Sequence, residues 1–151
     1  MMYSSIVRRK IEDIFEQVNR RNYAPMLDSL ALSFSYKFHG DHALGGCRTS
    51  KEAMARWWER VFRLLPDLKF ELQDVLVSGW PWQTKIAIRA GVHGSLPGQT
   101  IYNNTMFQFM ELRWGKVVKI ETIENLQIFE QALAAAAEAG ASEAQAPPIA
   151  G

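Results

Sequence analysis

One segment organises the chain: His39-Gly40-Asp41-His42-Ala43-Leu44-Gly45-Gly46-Cys47-Arg48-Thr49, which runs directly into a segment of helical periodicity, Ser50 to Leu65. Two imidazoles, a carboxylate, a thiol and three glycines stand together in this short loop. Such a composition is typical of a turn-rich rim, and the helix after it would form a wall beside the rim. We therefore expect the chain to build a closed apolar pocket at this point.

The predicted helix has clear boundaries and one apolar face. Thr49 and Glu52 have the spacing of a capping box, and Pro66 ends the segment. The apolar face carries large side chains at helical spacing: Met54, Trp57, Trp58, Val61, Phe62 and Leu65. Two adjacent tryptophans are more bulk than a helix needs to pack on a sheet, so either both belong to an ordinary core or one indole, Trp57, borders a cavity.

Length and charge limit the classes of function. The chain has 151 residues, enough for one domain with a sizeable core, and 17 basic against 16 acidic residues give a net charge of +1. This balance argues against nucleic-acid binding, which depends on basic surfaces. A single cysteine, Cys47, suits a reducing compartment. No apolar run is long enough to span a bilayer and no secretory segment is apparent, so we predict a cytoplasmic protein without membrane contact.

The order of elements predicts an α+β fold. Two helices come first, and a half-buried strand, Ser33 to Phe38, directs Tyr36 inward. After the third helix, alternation predicts four more strands: Leu68 to Gly79, Thr84 to Val92, Ile101 to Leu112 and Val117 to Ile123. A last helix follows the cap Asn125. We expect a cone-shaped, strongly curved antiparallel sheet whose mouth is closed by the three N-terminal helices, in one domain over residues 1–133, followed by a flexible Ala/Glu/Pro-rich tail over residues 134–151.

Several of these segments resemble the nuclear transport factor 2-like superfamily, and within it the SnoaL-like, polyketide cyclase-like group. The resemblance is carried by Tyr36 to Gly40 leading into Ala43 to Gly46 and a capped helix, by Tyr102-Asn103-Asn104, and by Trp114 to Val118 running to Asn125. It covers roughly residues 4–133 and implies the cone-shaped roll of that superfamily.

The same resemblance leaves the reaction open. Proteins of this superfamily isomerise steroids, cyclise polyketides, open epoxides, dehydrate small molecules or only bind partners. The enzymes resemble each other in using an inward carboxylate, or an imidazole paired with one, as a general base in a dry cone. This sequence departs from their patterns, because Asp41 lies in the rim loop and no aspartate occurs in the last two strands.

Four residues are the candidates for catalysis. Glu124 is an inward carboxylate if Val118, Ile120 and Thr122 mark the inner face of the last strand; a shift of one residue would leave it solvated before the Asn125 cap. His39 and His42 flank Asp41, which makes an imidazole base with a carboxylate orienter conceivable at the rim. Alternatively, the loop uses these residues for turns and hydrogen bonds. We predict no metal site, because only His93 lies elsewhere.

The candidates for ligand binding combine neutral polar groups with apolar walls. They are Tyr36, Trp57, Trp80, Arg89, Asn104, Met106 and Gln108. Arg89 could hold a ligand carboxylate or fix an acid, or else lie exposed beside Lys85. Asn104 and Gln108 would bind a carbonyl or hydroxyl if they point inward. If they point outward, they belong to a dimer surface with Phe107 and Phe109.

These observations predict a pocket protein with two alternative functions. The first is cofactor-free acid–base catalysis, of isomerase, cyclase, lyase or hydrolase type, on a small apolar oxygenated molecule. The second is a non-catalytic ligand-binding or dimerisation module of the same fold. A carboxylate facing a closed cavity would favour the first, and a cone filled by Trp57, Trp58, Trp80, Trp82 and methionines the second. In both cases we expect a homodimer formed through the sheet.

Overall fold

The computed structural model describes residues 2–151. Within this range it contains four α-helices, a short 3-10 helix (η1) and six strands. In chain order they are α1 (Met2–Asn19), α2 (Ala24–Asp28), β1 (Leu30–Phe38), β2 (Gly46–Arg48), α3 (Lys51–Leu64), β3 (Lys69–Trp80), β4 (Gln83–Leu96), β5 (Thr100–Arg113), β6 (Lys116–Glu124), α4 (Leu126–Glu138) and η1 (Ser142–Gln145).

The six strands form one curved sheet in the order β2-β1-β6-β5-β4-β3. This confirms the predicted α+β cone. Four of the five strand pairs are antiparallel, as expected, but β1 and β6 run parallel, so the sheet is mixed. A parallel pair needs a long crossover connection, and the chain between these two strands provides it. The first and last long strands therefore lie side by side in the middle of the sheet.

Helices α1 and α3 close the concave side of the sheet. The buried face of α1 consists of Val7, Ile11, Ile14, Phe15 and Val18. Helix α3 starts one residue later than the capping-box prediction, because Ser50 is extended and its hydroxyl accepts the Ala53 N–H at 3.1 Å. The Thr49 hydroxyl donates instead to the Gly151 carbonyl at 3.1 Å. Both tryptophans of α3, Trp57 and Trp58, are buried.

Alternation on β5, and on β6 from Ile120 onward, decides which side chains can reach the interior; a register shift between Glu111 and Leu112 leaves Val117 rather than Val118 on the buried side. On β5 the buried positions are Tyr102, Asn104, Met106, Gln108, Met110 and Leu112, and on β6 they are Val117, Ile120, Thr122 and Glu124. The intervening residues face outward, and Phe107 and Phe109 are 53% and 46% exposed. The inner face of the two strands therefore carries both polar and apolar side chains, whereas the outer face carries exposed aromatic rings.

The segment after residue 133, predicted as a flexible tail, has contacts with the rest of the domain. Helix α4 continues to Glu138, and Glu143 in η1 forms ion pairs with Arg60 at 3.2 Å and Arg63 at 2.6 Å on α3. The carbonyl of Ile149 accepts a hydrogen bond from Arg48 at 2.9 Å. The segment also buries Ala136 and Ala144 and packs Ile149 against the core.

No helix in the described part of the chain combines the length and apolar character that crossing a membrane requires.

Candidate active site

An enclosed cavity of about 30 Å³ lies between the concave face of the sheet and the helices. Such a space holds only about two water molecules, because one water needs roughly 10–15 Å³ of it. Its walls are mainly aromatic and aliphatic: Phe15, Met26, Tyr36, Phe38, Leu44, Trp57, Trp58, Val61, Leu65, Leu68, Phe70, Val92, Tyr102, Met106, Gln108, Thr122, Glu124 and Phe129. In this conformation side chains fill most of the cone, and one carboxylate faces what remains.

That carboxylate belongs to a hydrogen-bonded group of Glu124, Tyr102 and Asn104, which we call the carboxylate cluster. The Tyr102 hydroxyl donates to Glu124 Oε1, and Asn104 Nδ2 donates to the Tyr102 oxygen at 2.7 Å. The backbone fixes the Asn104 amide, because its Oδ1 accepts the N–H groups of Thr105 at 2.7 Å and Asn125 at 3.2 Å. The backbone thus fixes Asn104, Asn104 orients Tyr102, and Tyr102 holds the Glu124 carboxylate in one orientation.

The surroundings of Glu124 favour its neutral form. The residue is 7% exposed, and within residues 2–151 no ion pair reaches it. Burial raises the pKa of this carboxyl from 4.5 to about 7, although the hydrogen bond from Tyr102 acts in the opposite direction. Burial, together with the nearby Glu124, raises the pKa of the Tyr102 hydroxyl, which therefore stays a neutral donor. A carboxyl of this kind can both accept and return a proton near neutral pH.

A second polar group lines the cavity beside the first, and we call it the neutral relay. It joins Gln108 Nε2 to Thr122 Oγ1 at 2.9 Å, and Thr122 Oγ1 to the Tyr36 hydroxyl at 3.4 Å. Burial raises the pKa of Tyr36 to about 12, so its hydroxyl keeps its proton. Thr122 lies on the same face of β6 as Glu124, two residues earlier, which brings the relay next to the carboxylate cluster.

The relay leaves polar atoms unused at the cavity. Gln108 Oε1 and Trp58 Nε1 are buried and have no hydrogen-bond partner. The relay runs from Gln108 Nε2 through Thr122 Oγ1 to the Tyr36 oxygen. This direction leaves the Tyr36 hydroxyl as a donor and Gln108 Oε1 as an acceptor at the cavity. Buried polar groups of this kind are normally satisfied, which makes them candidates for contact with a ligand oxygen.

The three polar residues predicted at the rim do not form one unit. His39 Nε2 lies 2.5 Å from Glu121 on the outer side of β6, while Asp41 is exposed. The buried His42 ring bonds within its own loop, with Nε2 3.0 Å from the His39 carbonyl and Nδ1 accepting the Leu44 N–H at 3.2 Å. Burial lowers the pKa of His42. Its two ring nitrogens are therefore occupied by loop structure.

Within residues 2–151 no group of three or more His, Cys, Asp and Glu side chains could hold a metal ion.

The predicted site residues divide into those at the cavity and those outside it. Five line it directly: Tyr36, Trp57, Met106, Gln108 and Glu124. Asn104 lies behind them and orients Tyr102. Arg89 and Trp80 are elsewhere: Arg89 occupies the outward phase of β4 and bonds Asp74 at 2.7 Å, and Trp80 lies at the β3–β4 turn, 53% exposed. Both positions follow from strand geometry, which directs alternate side chains outward.

Two polar residues of the site were not among the predicted ones, although a pattern contained them. Tyr102 shares the inward face of β5 with Asn104 and Gln108, and Thr122 shares that of β6 with Glu124. Period-two alternation alone was enough to add both. Trp58 lines the cavity together with Trp57, because its ring turns toward the cone as well.

Comparison with known proteins agrees with this architecture. The model of the SnoaL-like domain matches residues 11–120, whereas none of the curated proteins matches the chain. A candidate SnoaL-like polyketide cyclase from Jannaschia sp. CCS1 superposes with a TM-score of 0.70 at 14% identity, over 83% of this chain and 90% of that one.

Two further solved structures carry the same fold. A protein with a ketosteroid isomerase-like fold from Catenulispora acidiphila, solved with trimethylamine, has a TM-score of 0.67 at 16% identity, over 85% of this chain and 92% of that one. TerC, co-crystallised with polyporic acid, has a TM-score of 0.68 at 16% identity, over 83% and 96%. At these identities the structures show the fold alone. With the matched domain covering most of its length, the chain belongs to the SnoaL-like domain family and has the nuclear transport factor 2-like fold.

Proposed function

We propose that this protein catalyses cofactor-free proton transfer on a small, apolar carbonyl compound, with Glu124 as the general base and acid. One observation supports this most strongly: the Glu124 carboxyl is buried in an apolar cavity and, within residues 2–151, is held only by the neutral donor Tyr102. A carboxyl with a pKa near 7 is well matched to removing a proton from carbon at neutral pH. Isomerisation and ring closure both begin with such a step.

The spacing of the two polar groups fits an enolisable carbonyl. Thr122 and Glu124 are two residues apart on one strand face, so their side chains are separated by about 7 Å. A carbonyl oxygen that accepts a hydrogen bond from the neutral relay would present its neighbouring C–H group toward Glu124 within this span. The Tyr36 hydroxyl, at the end of the relay, would donate that hydrogen bond.

The proposed step conserves protons and electrons. Glu124 takes the proton from the carbon next to the carbonyl, and the electron pair of that C–H bond moves into a new C=C bond while the carbonyl oxygen becomes an enolate. The neutral relay stabilises the enolate oxygen through its donor end. If the enolate is conjugated with a further C=C bond, Glu124 then returns the proton to a different carbon, which is isomerisation. Alternatively, the enolate carbon attacks a second carbonyl carbon, and the oxygen of that carbonyl takes the proton from Glu124 as the ring closes.

Ligand entry requires the cavity to widen, because about 30 Å³ does not accommodate a ring compound. Two of the lining side chains, Met26 and Met106, are flexible and can adopt other rotamers. TerC, which has the same fold, was co-crystallised with polyporic acid, and by analogy oxygenated ring compounds are the ligands to test first. We therefore expect an open state in which these methionines have moved.

A second candidate function is non-catalytic: a binding or dimerisation module of the same fold. The small cavity favours it, as does the apolar outer face of the sheet, where Phe107, Phe109 and Ile123 are exposed. A homodimer formed through this face would bury these rings.

The free thiol of Cys47 is exposed, which supports a reducing compartment such as the cytoplasm.

Exchange of the ligand's C–H protons for deuterium distinguishes the proposed catalysis from the non-catalytic module. The purified protein is incubated in D₂O with enolisable ring ketones and lactones, and loss of the proton signal next to the carbonyl is followed by NMR. We expect the wild type to accelerate exchange of at least one compound, Glu124→Gln to abolish the acceleration, and the matched control Glu121→Gln to keep it. Binding without exchange would favour the non-catalytic module, and exchange that survives in Glu124→Gln would refute Glu124 as the base.

A further inference from the structure

Arg48, at the end of β2, is the largest fully buried side chain, with 0% exposure. Its guanidinium donates only to backbone carbonyls. Nη1 reaches Gly45 at 2.7 Å and Ile149 at 2.9 Å, and Nη2 reaches Gly46 at 3.2 Å. Charged side chains are almost never fully buried unless an opposite charge accompanies them, so this position requires an explanation.

The charge of Arg48 has no counter-ion in the described part of the chain. The ion pairs of residues 2–151 involve other side chains. In addition, Arg48 Nε is buried and has no acceptor. Carbonyl dipoles offset part of the desolvation cost, but they leave a full positive charge inside the protein.

This charge lies directly behind the aromatic wall of the cavity. The guanidinium carbon is 5.3 Å from the centre of the Tyr36 ring and 5.2 Å from that of Trp57. Both rings line the cavity, and Tyr36 is one end of the neutral relay. The positive potential of Arg48 is therefore strongest at the part of the wall where a ligand oxygen would bind.

We propose that the cavity binds its ligand as an anion, a carboxylate or an ionised enol or phenol, whose charged oxygen lies at the Tyr36 side and is stabilised by Arg48 through the aromatic wall. This rests on the proposed function only in taking the cavity as the binding site. Arg48 does not line the cavity, so it acts on the ligand through its charge and through the position of Tyr36. Where Glu124 is protonated, its carboxyl adds no charge that opposes the anion.

Benzoate and benzamide test the inference, because they have nearly the same shape and differ in charge. Binding is measured at about pH 6, below the pKa of Glu124, so that this carboxyl is largely neutral. The readout is the NMR shift of the indole N–H groups. Trp57 and Trp58 report on the cavity, whereas the exposed Trp80, Trp82 and Trp114 serve as internal controls.

We expect wild-type protein to bind benzoate more tightly than benzamide by roughly tenfold, the effect of one charge about 8 Å away in a partly screened interior. Arg48→Lys should keep the preference, because the charge remains. Arg48→Met should abolish it. The matched control Arg63→Met also removes one positive charge, but from an exposed position on α3, and should leave the preference unchanged.

Two results would overturn the inference while leaving the pocket intact: wild-type protein that binds benzamide as tightly as benzoate, or a folded Arg48→Met variant that still prefers benzoate. Because Arg48 also anchors the loop and the C-terminal segment, Arg48→Met could lose its fold. If Arg48→Met does not fold, the inference is decided by comparing benzoate with benzamide on wild-type protein and on Arg48→Lys. Failure of both probes to shift Trp57 and Trp58 would instead overturn the cavity as a binding site, and with it both proposals.

Discussion

Two glutamates of β6, only three residues apart, have opposite environments. Glu121 faces outward, pairs with His39 at 2.5 Å, and has a pKa lowered chiefly by that hydrogen bond. Glu124 faces inward, is bonded by Tyr102, and has a pKa raised by burial to about 7. The same residue type thus pairs with a histidine on the outer face in one case and is a candidate proton carrier in the other. The face of the strand, rather than the residue type, decides between them.

Catalysis should separate the two glutamates most strongly. Removing a positioned general base typically costs about 10²- to 10⁴-fold in rate, so Glu124→Gln should lose that much of the exchange activity while Glu121→Gln loses none. In wild-type protein the rate should rise with pH through about 7, as Glu124 ionises. Rate measurements over this range check both points, and a pH-independent rate would contradict the role of Glu124.

The pH dependence of the free energy of unfolding should also distinguish the two glutamates. A carboxyl with a raised pKa binds extra protons in the folded state, so its contribution to the free energy of unfolding is greatest below the unfolded pKa, near 4.5, and is lost as pH rises through about 7. The loss should be about 3 kcal/mol. Glu124→Gln should remove this pH dependence and Glu121→Gln should keep it. Urea unfolding at about pH 5 and about pH 8 measures the difference.

Tyr102→Phe should have a smaller effect and would show what the hydrogen bond contributes. Without the donor, the pKa of Glu124 should move further upward, because the Tyr102 hydrogen bond lowers it. The pH–rate profile should therefore shift to higher pH. Loss of a buried hydrogen bond to a carboxyl should also cost about 1–2 kcal/mol of stability. A profile that keeps its midpoint would mean that Tyr102 does not influence the proton on Glu124.

The smallest effect is expected for His39→Ala, on the outer side of the strand. Glu121 loses its partner, so its pKa should rise toward the ordinary value of a glutamate. A lowered carboxyl pKa contributes stability that is present at neutral pH and lost on acidification, so the variant should differ from wild type only above the acid range. NMR titration of the Glu121 carboxyl measures this directly, and exchange activity should not change.

Much of this architecture follows from local patterns. Helical spacing identified α3, and period-two alternation identified the long strands. Alternation also grouped Asn104 with Gln108 on one face of its strand and Glu124 with Thr122 on one face of the next, but it left open which face is inward. The rim was harder, because its histidines and aspartate suggest a dyad by composition. Their bonds are set instead by the loop: His42 bonds to the backbone of His39 and Leu44. Composition therefore overstated the chemistry of the loop.

Long-range contacts were the part that no local pattern could supply. The neutral relay joins Tyr36 to Thr122 because β1 lies parallel to β6, a pairing that depends on the whole fold. Arg48 was not singled out for the same reason, since its burial depends on the carbonyl of Ile149, far along the chain. Arg89 is a candidate for binding a ligand only as long as the inner and outer faces of its strand are not known.

The parallel pairing of β1 and β6 also determines the order in which the protein can mature. Apart from Tyr36 and the indoles of Trp57 and Trp58, the polar side chains that line the cavity lie on β5 or β6, and Tyr36 on β1 has its neighbour on β6. A nascent chain that has emerged only as far as β5 contains the first three helices and most of the sheet but has no binding site. Contacts between such distant segments form slowly. Ligand binding should therefore be the last property acquired during folding, which makes it a direct reporter of completed assembly.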